Sequence, residues 1–271
     1  MANAATLKSP KPHTTAATTT HAPRHIHPLI FAMLSHRGHV RHVNQDACAA
    51  SPEHGAFIVC DGVGGAAAGE VASHLAADTF LHSVSHPAKS PATTASIRLE
   101  QAVHAANHAV FQRSQKLRAL RGMATTLVAV LVEDDPAHPA FWIAHVGDSR
   151  CYRFRNGALE LLTIDHSLVE EQVRAGQLSR AEAETSPIRN VITRAIGSGP
   201  TVDPEFAAHA TQSGDVFLLA SDGLTRELDD DAIAHILSRA TSLESACHAL
   251  IDAANANGGR DNITVLLLAC P

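Results

Sequence analysis

Short runs rich in Val, Ile, Leu and Phe occupy residues 56–60, 125–132, 140–146, 150–155, 158–163, 215–220 and 263–269. Their length and composition predict strands. Asn156-Gly157 separates two of the runs, and a type I′ turn, which needs positive φ at both central residues, predicts a hairpin there. Apolar positions spaced by three and four predict helices over 66–84 and 94–118, with a third inside 166–176. Ser179-Arg180-Ala181-Glu182 resembles a capping box that opens a short fourth helix. Asp229-Asp230-Asp231 places acids at the start of a helix running to about Ala240, and another over 242–256 is stopped by Gly258-Gly259. Strands and helices come in clusters instead of alternating. The pattern predicts an α+β domain in which antiparallel sheets are covered by helices, and argues against a doubly wound parallel sheet.

Five aspartates stand at the edges of these runs. Asp61 follows 56–60, Asp148 follows 141–147, Asp222 follows 216–221, Asp261 precedes 263–268, and Asp46 closes Arg41-His42-Val43-Asn44-Gln45-Asp46. A strand would deliver each of them to the rim of a sheet. Any one alone reads best as a turn residue or a helix cap; five in one domain point to a shared site. Carboxylates gathered without a Cys or His motif are ligands for hard cations such as Mg²⁺ and Mn²⁺. Two such ions about 3.5–4 Å apart can share a water and aim it at phosphorus. Asp61 is the expected bridging ligand. The glycine-rich stretch Gly62-Val63-Gly64-Gly65 behind it lets the backbone approach, so the Gly62 carbonyl is a further expected ligand. Arg41, five residues before Asp46, offers a fork for a phosphate, although most arginines are simply solvated. Asp61, Asp222 and Arg41 are then the residues expected to carry catalysis.

Composition narrows the function classes. The 271 residues are 45% hydrophobic, enough for one large domain, and no apolar run nears the roughly 18 residues of a membrane span. Residues 1–28 are rich in Ala, Thr, Pro and His, lack acids and an apolar core segment, and read as a disordered tail instead of a signal peptide. The catalytic domain is expected over 29–271. The formal net charge is −6, and setting aside the tail's Lys8, Lys11 and Arg24 leaves −9 on the body. That balance argues against nucleic acid as a partner. Five cysteines without CxxC spacing read as reduced thiols of a cytoplasmic protein, not a zinc site. No Lys-Ser/Thr follows the glycine-rich stretch, which argues against a P-loop. No cysteine sits in a CxxxxxR motif, which removes the thiol-phosphatase route.

Six ordered signatures resemble those of metal-dependent protein phosphatases of the protein phosphatase 2C type, in their bacterial form. They are the Arg41–Asp46 segment, Asp61-Gly62-Val63-Gly64-Gly65, Met123-Ala124-Thr125-Thr126, Gly147-Asp148-Ser149-Arg150, Ser221-Asp222-Gly223-Leu224 and Asp261-Asn262-Ile263-Thr264-Val265. The resemblance covers roughly residues 31–270. It implies a β-sandwich of two antiparallel sheets flanked by helices, in α/β/β/α layers. It also implies a phosphoserine/phosphothreonine protein phosphatase that opposes a Ser/Thr kinase in bacterial signalling. In such enzymes a hydroxide bridging two Mn²⁺ or Mg²⁺ ions attacks the phosphate without a phosphoenzyme. Asp46, Asp61, Asp222 and Asp261, with the Gly62 carbonyl, would hold the pair of ions. Asp148 would join Asp222 at a third ion, Arg41 would bind the phosphate, and 166–198 would form a flap. The expected partners are phosphoproteins and a cognate kinase or its targets, with no membrane insertion and a monomeric chain.

Departures from the family pattern spare the proposed ligands. Val63 stands where eukaryotic members carry a histidine proposed as general acid. Gln45 replaces a frequent Glu, Ala124 a usual Gly, Ser186 a frequent His, and His36 a frequent Asp. Two other readings remain open on sequence grounds. One is an inactive phosphatase-like module that binds phosphoproteins, which should have lost metal ligands. The other is a metallohydrolase of small phosphates, which should carry an aromatic platform, whereas the chain is only 4% aromatic.

Overall fold

A computed structural model describes residues 20–22, 29–64, 66–86, 94–133 and 139–270. The chain begins with β1 (Thr20–Ala22), β2 (Leu29–His36), β3 (Asp46–Ser51) and β4 (Ala56–Val63), then α1 (Ala66–Ser85) and α2 (Ala95–Lys116). The middle holds β5 (Ala124–Thr125), β6 (Leu127–Val132), β7 (Ala140–Val146), β8 (Arg150–Arg155) and β9 (Ala158–Leu161). Two short helices follow, α3 (Leu168–Arg174) and α4 (Arg180–Thr185), and then β10 (Glu205–Ala210) and β11 (Val216–Ala220). The chain ends with α5 (Asp222–Thr225), α6 (Asp230–Arg239), α7 (Leu243–Ala256) and β12 (Ile263–Ala269).

Two antiparallel sheets result, ordered β1-β2-β12-β11-β8-β9 and β10-β7-β6-β4-β3. They pack face to face through Phe31, Phe57, Val59, Val128, Ile143, Phe217, Leu219 and Leu266. The outer face of the second sheet, through Ile58, Cys60, Leu127, Ala129 and Leu131, lies under α1 and α2. The outer face of the first, through Leu218, Val265 and Leu267, lies under α6 and α7. The central strands are therefore covered on both sides, so they appear in the sequence as continuous apolar runs and not as alternating ones. Residues 56–60 are fully buried along their whole length. Each large side chain buried in this way stabilises the fold by about 1.5–3 kcal/mol.

The hairpin turn is as expected, with φ of 52° at Asn156 and 83° at Gly157 joining β8 to β9. Ser179 closes a reciprocal capping box with Glu182, and Asp229 caps α6 through the Ala232 N–H at 2.8 Å. The 125–132 run is split at Thr126, whose hydroxyl replaces a ladder carbonyl by accepting the Asp61 N–H at 2.9 Å. Four strands were not expected, β1, β2, β3 and β10. The three-residue β1, inside the segment read as a tail, pairs with the start of β2. The rest of that segment, and Gly65, lie outside the described residues.

Candidate metal and phosphate site

All five aspartates reach one rim of the sandwich. Strands β2, β4, β7 and β11 end there and β3, β8 and β12 begin there, as antiparallel order requires. Asp46 and Asp61 are direct partners across the β3–β4 pair. Asp148 sits in the β7–β8 turn, Asp222 opens α5 and Asp261 immediately precedes β12.

Each carboxylate is aimed by its own scaffold. Asp46 Oδ2 accepts the Ser221 hydroxyl at 2.8 Å and the Thr264 hydroxyl at 2.7 Å, which ties the rim of one sheet to the other. The Asp61 carbonyl receives the Thr126 N–H and the Thr125 hydroxyl, both at 2.8 Å. Asp261 Oδ1 accepts the Asn262 N–H at 2.8 Å, while the Asn262 amide donates to the carbonyls of Arg37 and Val43 and accepts the Gln45 N–H. Asn262 thereby pins the loop that carries Arg41. A Cβ on Gly62 would meet the Gly69 carbonyl oxygen at 2.2 Å, so only glycine lets β4 pass this close to α1.

Asp46 Oδ1 and Asp222 Oδ1 are buried and have no hydrogen-bond partner. Orphaned, buried carboxylate oxygens carry a high desolvation cost unless a cation meets them. Burial, against the pull of hydroxyl hydrogen bonds, raises the Asp46 carboxyl to about 7, with Asp222 and Asp261 adding repulsion. Burial and the facing Asp46 and Asp222 carry Asp61 well above the ordinary range. Asp148 rises to about 7 through burial and its neighbour Asp222. Asp222 is also raised, by burial, although Arg226 opposes the shift. An all-oxygen donor set that resists being ionised together fits hard divalent cations, which would relieve the repulsion.

Two arginines enter the cluster. Arg41, half-exposed, donates to Asp261 Oδ2 at 2.7 Å. Arg226 pairs with Asp222, and lies 3.5 Å from Asp148 Oδ2 and 3.8 Å from Asp261 Oδ2. Arg226 was not foreseen. Its position four residues after Asp222 on a helix is the signal that could have found it. Ser221, Thr264, Thr126 and Asn262 were likewise not singled out as site residues. Gln45 stays off the carboxylates: its side chain reaches the Gly64 carbonyl at 3.4 Å. Val63 is exposed beside the site and offers no proton.

The segment 166–198 is rooted at the same rim. The Thr125 and Ile196 backbones exchange hydrogen bonds at 3.0 and 2.8 Å, and the His166 N–H donates to the Gly147 carbonyl at 2.9 Å. At this root His145 and His166 stack with ring centroids 4.7 Å apart, beside Glu205. The three could be taken for a metal site, but the hydrogen bonds oppose it. The Gly147 N–H donates to His166 Nδ1 at 3.2 Å, which puts that ring's proton on Nε2, facing Glu205. Burial holds His166 down at about 4, so the ring is neutral. His145 Nε2 donates to the Ile164 carbonyl at 2.8 Å. The Ile164 N–H and the Arg194 guanidinium also lie 3.4 and 3.3 Å from the Nε2 atoms of His145 and His166, so both nitrogens are already engaged. The trio fastens the flap.

Comparison with known proteins agrees with this geometry. The family model for protein phosphatase 2C matches residues 35–263. The serine/threonine phosphatase stp of Listeria monocytogenes serotype 4b is 36% identical over 237 residues, covering 86% of this chain and 92% of the relative. The crystal structure of the Mycobacterium tuberculosis serine/threonine phosphatase PstP/Ppp superposes with a TM-score of 0.80 at 34% identity, covering 89% of this chain and 98% of that one. The PstP catalytic domain in complex with two manganese ions gives a TM-score of 0.78 at 33% identity, with the same coverage. With fold, ordered signatures and a carboxylate rim in agreement, the chain belongs to the protein phosphatase 2C family.

Proposed function

We propose that Asp46, Asp61, Asp222 and Asp261, with the Gly62 carbonyl, hold a pair of Mn²⁺ or Mg²⁺ ions, and that Arg41 receives the phosphate of a phosphoserine or phosphothreonine side chain. The chain is a metal-dependent serine/threonine protein phosphatase, a phosphoric monoester hydrolase. The observation that carries the assignment of the ligands is the pair of buried, unpartnered oxygens on Asp46 and Asp222. Bound there, the ions supply an activated water and neutralise charge on the phosphate. The chain's own residues aim and insulate. Ser221 and Thr264 fix the Asp46 rotamer so that its second oxygen faces the cluster. Asn262 holds the Arg41 loop against Asp261. Val40 and Val63, next in sequence to Arg41 and Gly62, are exposed, and such apolar side chains suit a peptide more than a nucleotide, which would need a stacking ring.

The substrates are phosphoproteins and the role opposes a kinase; we assign it to a cognate Ser/Thr kinase or that kinase's targets, in the cytoplasm, with the chain acting as a monomer over residues 29–271. No helix among the described residues is long and apolar enough to cross a membrane. With Mn²⁺ present, phosphothreonine peptides should be hydrolysed much faster than ATP, measured as released phosphate. Preference for nucleotides would favour the small-phosphate reading, and no release from any substrate would favour the inactive module.

Arg41→Ala should lower kcat/KM roughly ten- to a hundredfold, chiefly by raising KM, because charge-assisted bonds of about 1.5–3 kcal/mol already form in the ground state. Lysine should restore only part of this, since it lacks the planar fork. Arg41 competes for Asp261, so Mn²⁺ affinity should not fall. A variant with normal kcat/KM, or one that loses its metal, would remove Arg41 from the phosphate site.

A further inference from the structure

Arg226 reaches three of the five carboxylates, Asp222, Asp148 and, at 3.8 Å, Asp261. Its guanidinium takes Asp222 Oδ2 and approaches Asp148 Oδ2 at 3.5 Å. It leaves Asp222 Oδ1 buried and unpartnered, as Asp46 Oδ1 also is. Asp148, by contrast, has Arg226 as the one cation paired with it among the described residues. The side chain is held in place from behind. Arg226 ends the single turn of α5, and its N–H donates to the Asp222 carbonyl at 2.9 Å. The guanidinium is three-quarters buried between carboxylates that are themselves about nine-tenths buried. A permanent cation is therefore already installed between Asp148 and Asp222, where the family resemblance would put a third metal ion.

We infer that Arg226 takes the place of that third ion, so that this chain binds two divalent cations and carries the third positive charge covalently. A divalent ion lodged between Asp148 and Asp222 would have to break both contacts and then sit against a displaced guanidinium of like sign. Arg226 also keeps Asp222 Oδ2 occupied, so that Asp222 has a single free oxygen for the metal pair. It is a positioning residue for that ligand. The inference rests on the two-ion reading above, and one measurement separates their failures.

Equilibrium dialysis against Mn²⁺ with metal counting by atomic emission should find two ions per wild-type chain. Arg226→Ala should bind three, Arg226→Lys two, and Arg226→Ala combined with Asp148→Asn two again. Circular dichroism of each variant in Mn²⁺ establishes that the counts refer to folded protein. A wild-type count of three overturns the inference and leaves the two-ion reading standing. A count of zero or one overturns the two-ion reading itself. A folded Arg226→Ala that still binds only two overturns the inference as well. Should Arg226→Ala fail to fold, the wild-type and Arg226→Lys counts decide alone: three in either sinks it.

Discussion

Asp61→Ala and Asp222→Ala are expected to lower kcat by at least about a thousandfold, about 4 kcal/mol of transition-state stabilisation, while leaving the fold intact. Asp61 faces Asp46 across the β3–β4 ladder, and Asp222 presents a buried, unpartnered oxygen to the same space. Removing either takes a ligand from the centre of the cluster. Neither side chain is needed to hold the strands. The β4 backbone at position 61 is secured through its own N–H and carbonyl to Thr126 and Thr125, and α5 is closed by the Arg226 N–H. Without metal, each substitution should raise thermal stability, because it relieves repulsion among carboxylates already pushed above their ordinary range. Asp61→Asn should behave alike, which excludes a mere change in side-chain volume. Retention of more than about a tenth of wild-type kcat, a loss under about 1.4 kcal/mol, by both alanine variants would show that the catalytic ions are held elsewhere.

The sequence made the inner strands legible because both their faces are covered. Residues 56–60 and 265–268 have no polar position to interrupt them, and their length alone marks them as strands. Two of the strands that were not foreseen, β3 and β10, lie where that signal is weak. Strand β3, Asp-Ala-Cys-Ala-Ala-Ser, is an edge strand built largely from alanine, with three half-buried positions. Strand β10 is the opposite edge of the same sheet and mixes Glu, Ala and His. Their identity comes from pairing with β4 and β7, a tertiary cause that overrides weak local preference.

The site divides in the same way. Aspartates at run edges can be seen because a strand's end and a rim coincide. What aims them cannot, since Ser221 and Thr264 reach Asp46 from 175 and 218 residues away. Arg226 was hidden differently: its spacing of four from Asp222 becomes a signal only once the single turn α5 is known to be helical and carries it over Asp222.

Metal removal supplies the second large effect. EDTA should abolish turnover and Mn²⁺ or Mg²⁺ should restore it, but the stability of the metal-free chain is the more telling readout. Asp46 and Asp148 titrate at about 7 in the fold, far above the ordinary aspartate value. Their folded pKa is raised, so the folded chain holds protons that the unfolded one has released, and stability falls as pH rises through that value. The buried histidines work oppositely. His166 at about 4, with His145 also lowered, loses stability as pH falls below the ordinary histidine range. Above about pH 7 the histidines are mostly neutral in both states, and the raised carboxylates dominate the slope. Metal-free protein should therefore lose Tm between about pH 7 and about pH 8, and excess Mn²⁺ should flatten or reverse the trend, because binding favours the deprotonated ligands. Asp46→Asn should weaken the metal-free slope, since it removes one titrating group. A metal-free Tm that is constant or rises across that interval, measured by calorimetry at fixed ionic strength, would mean that these carboxylates do not repel one another as their positions require. The two-ion reading would then lose its physical basis.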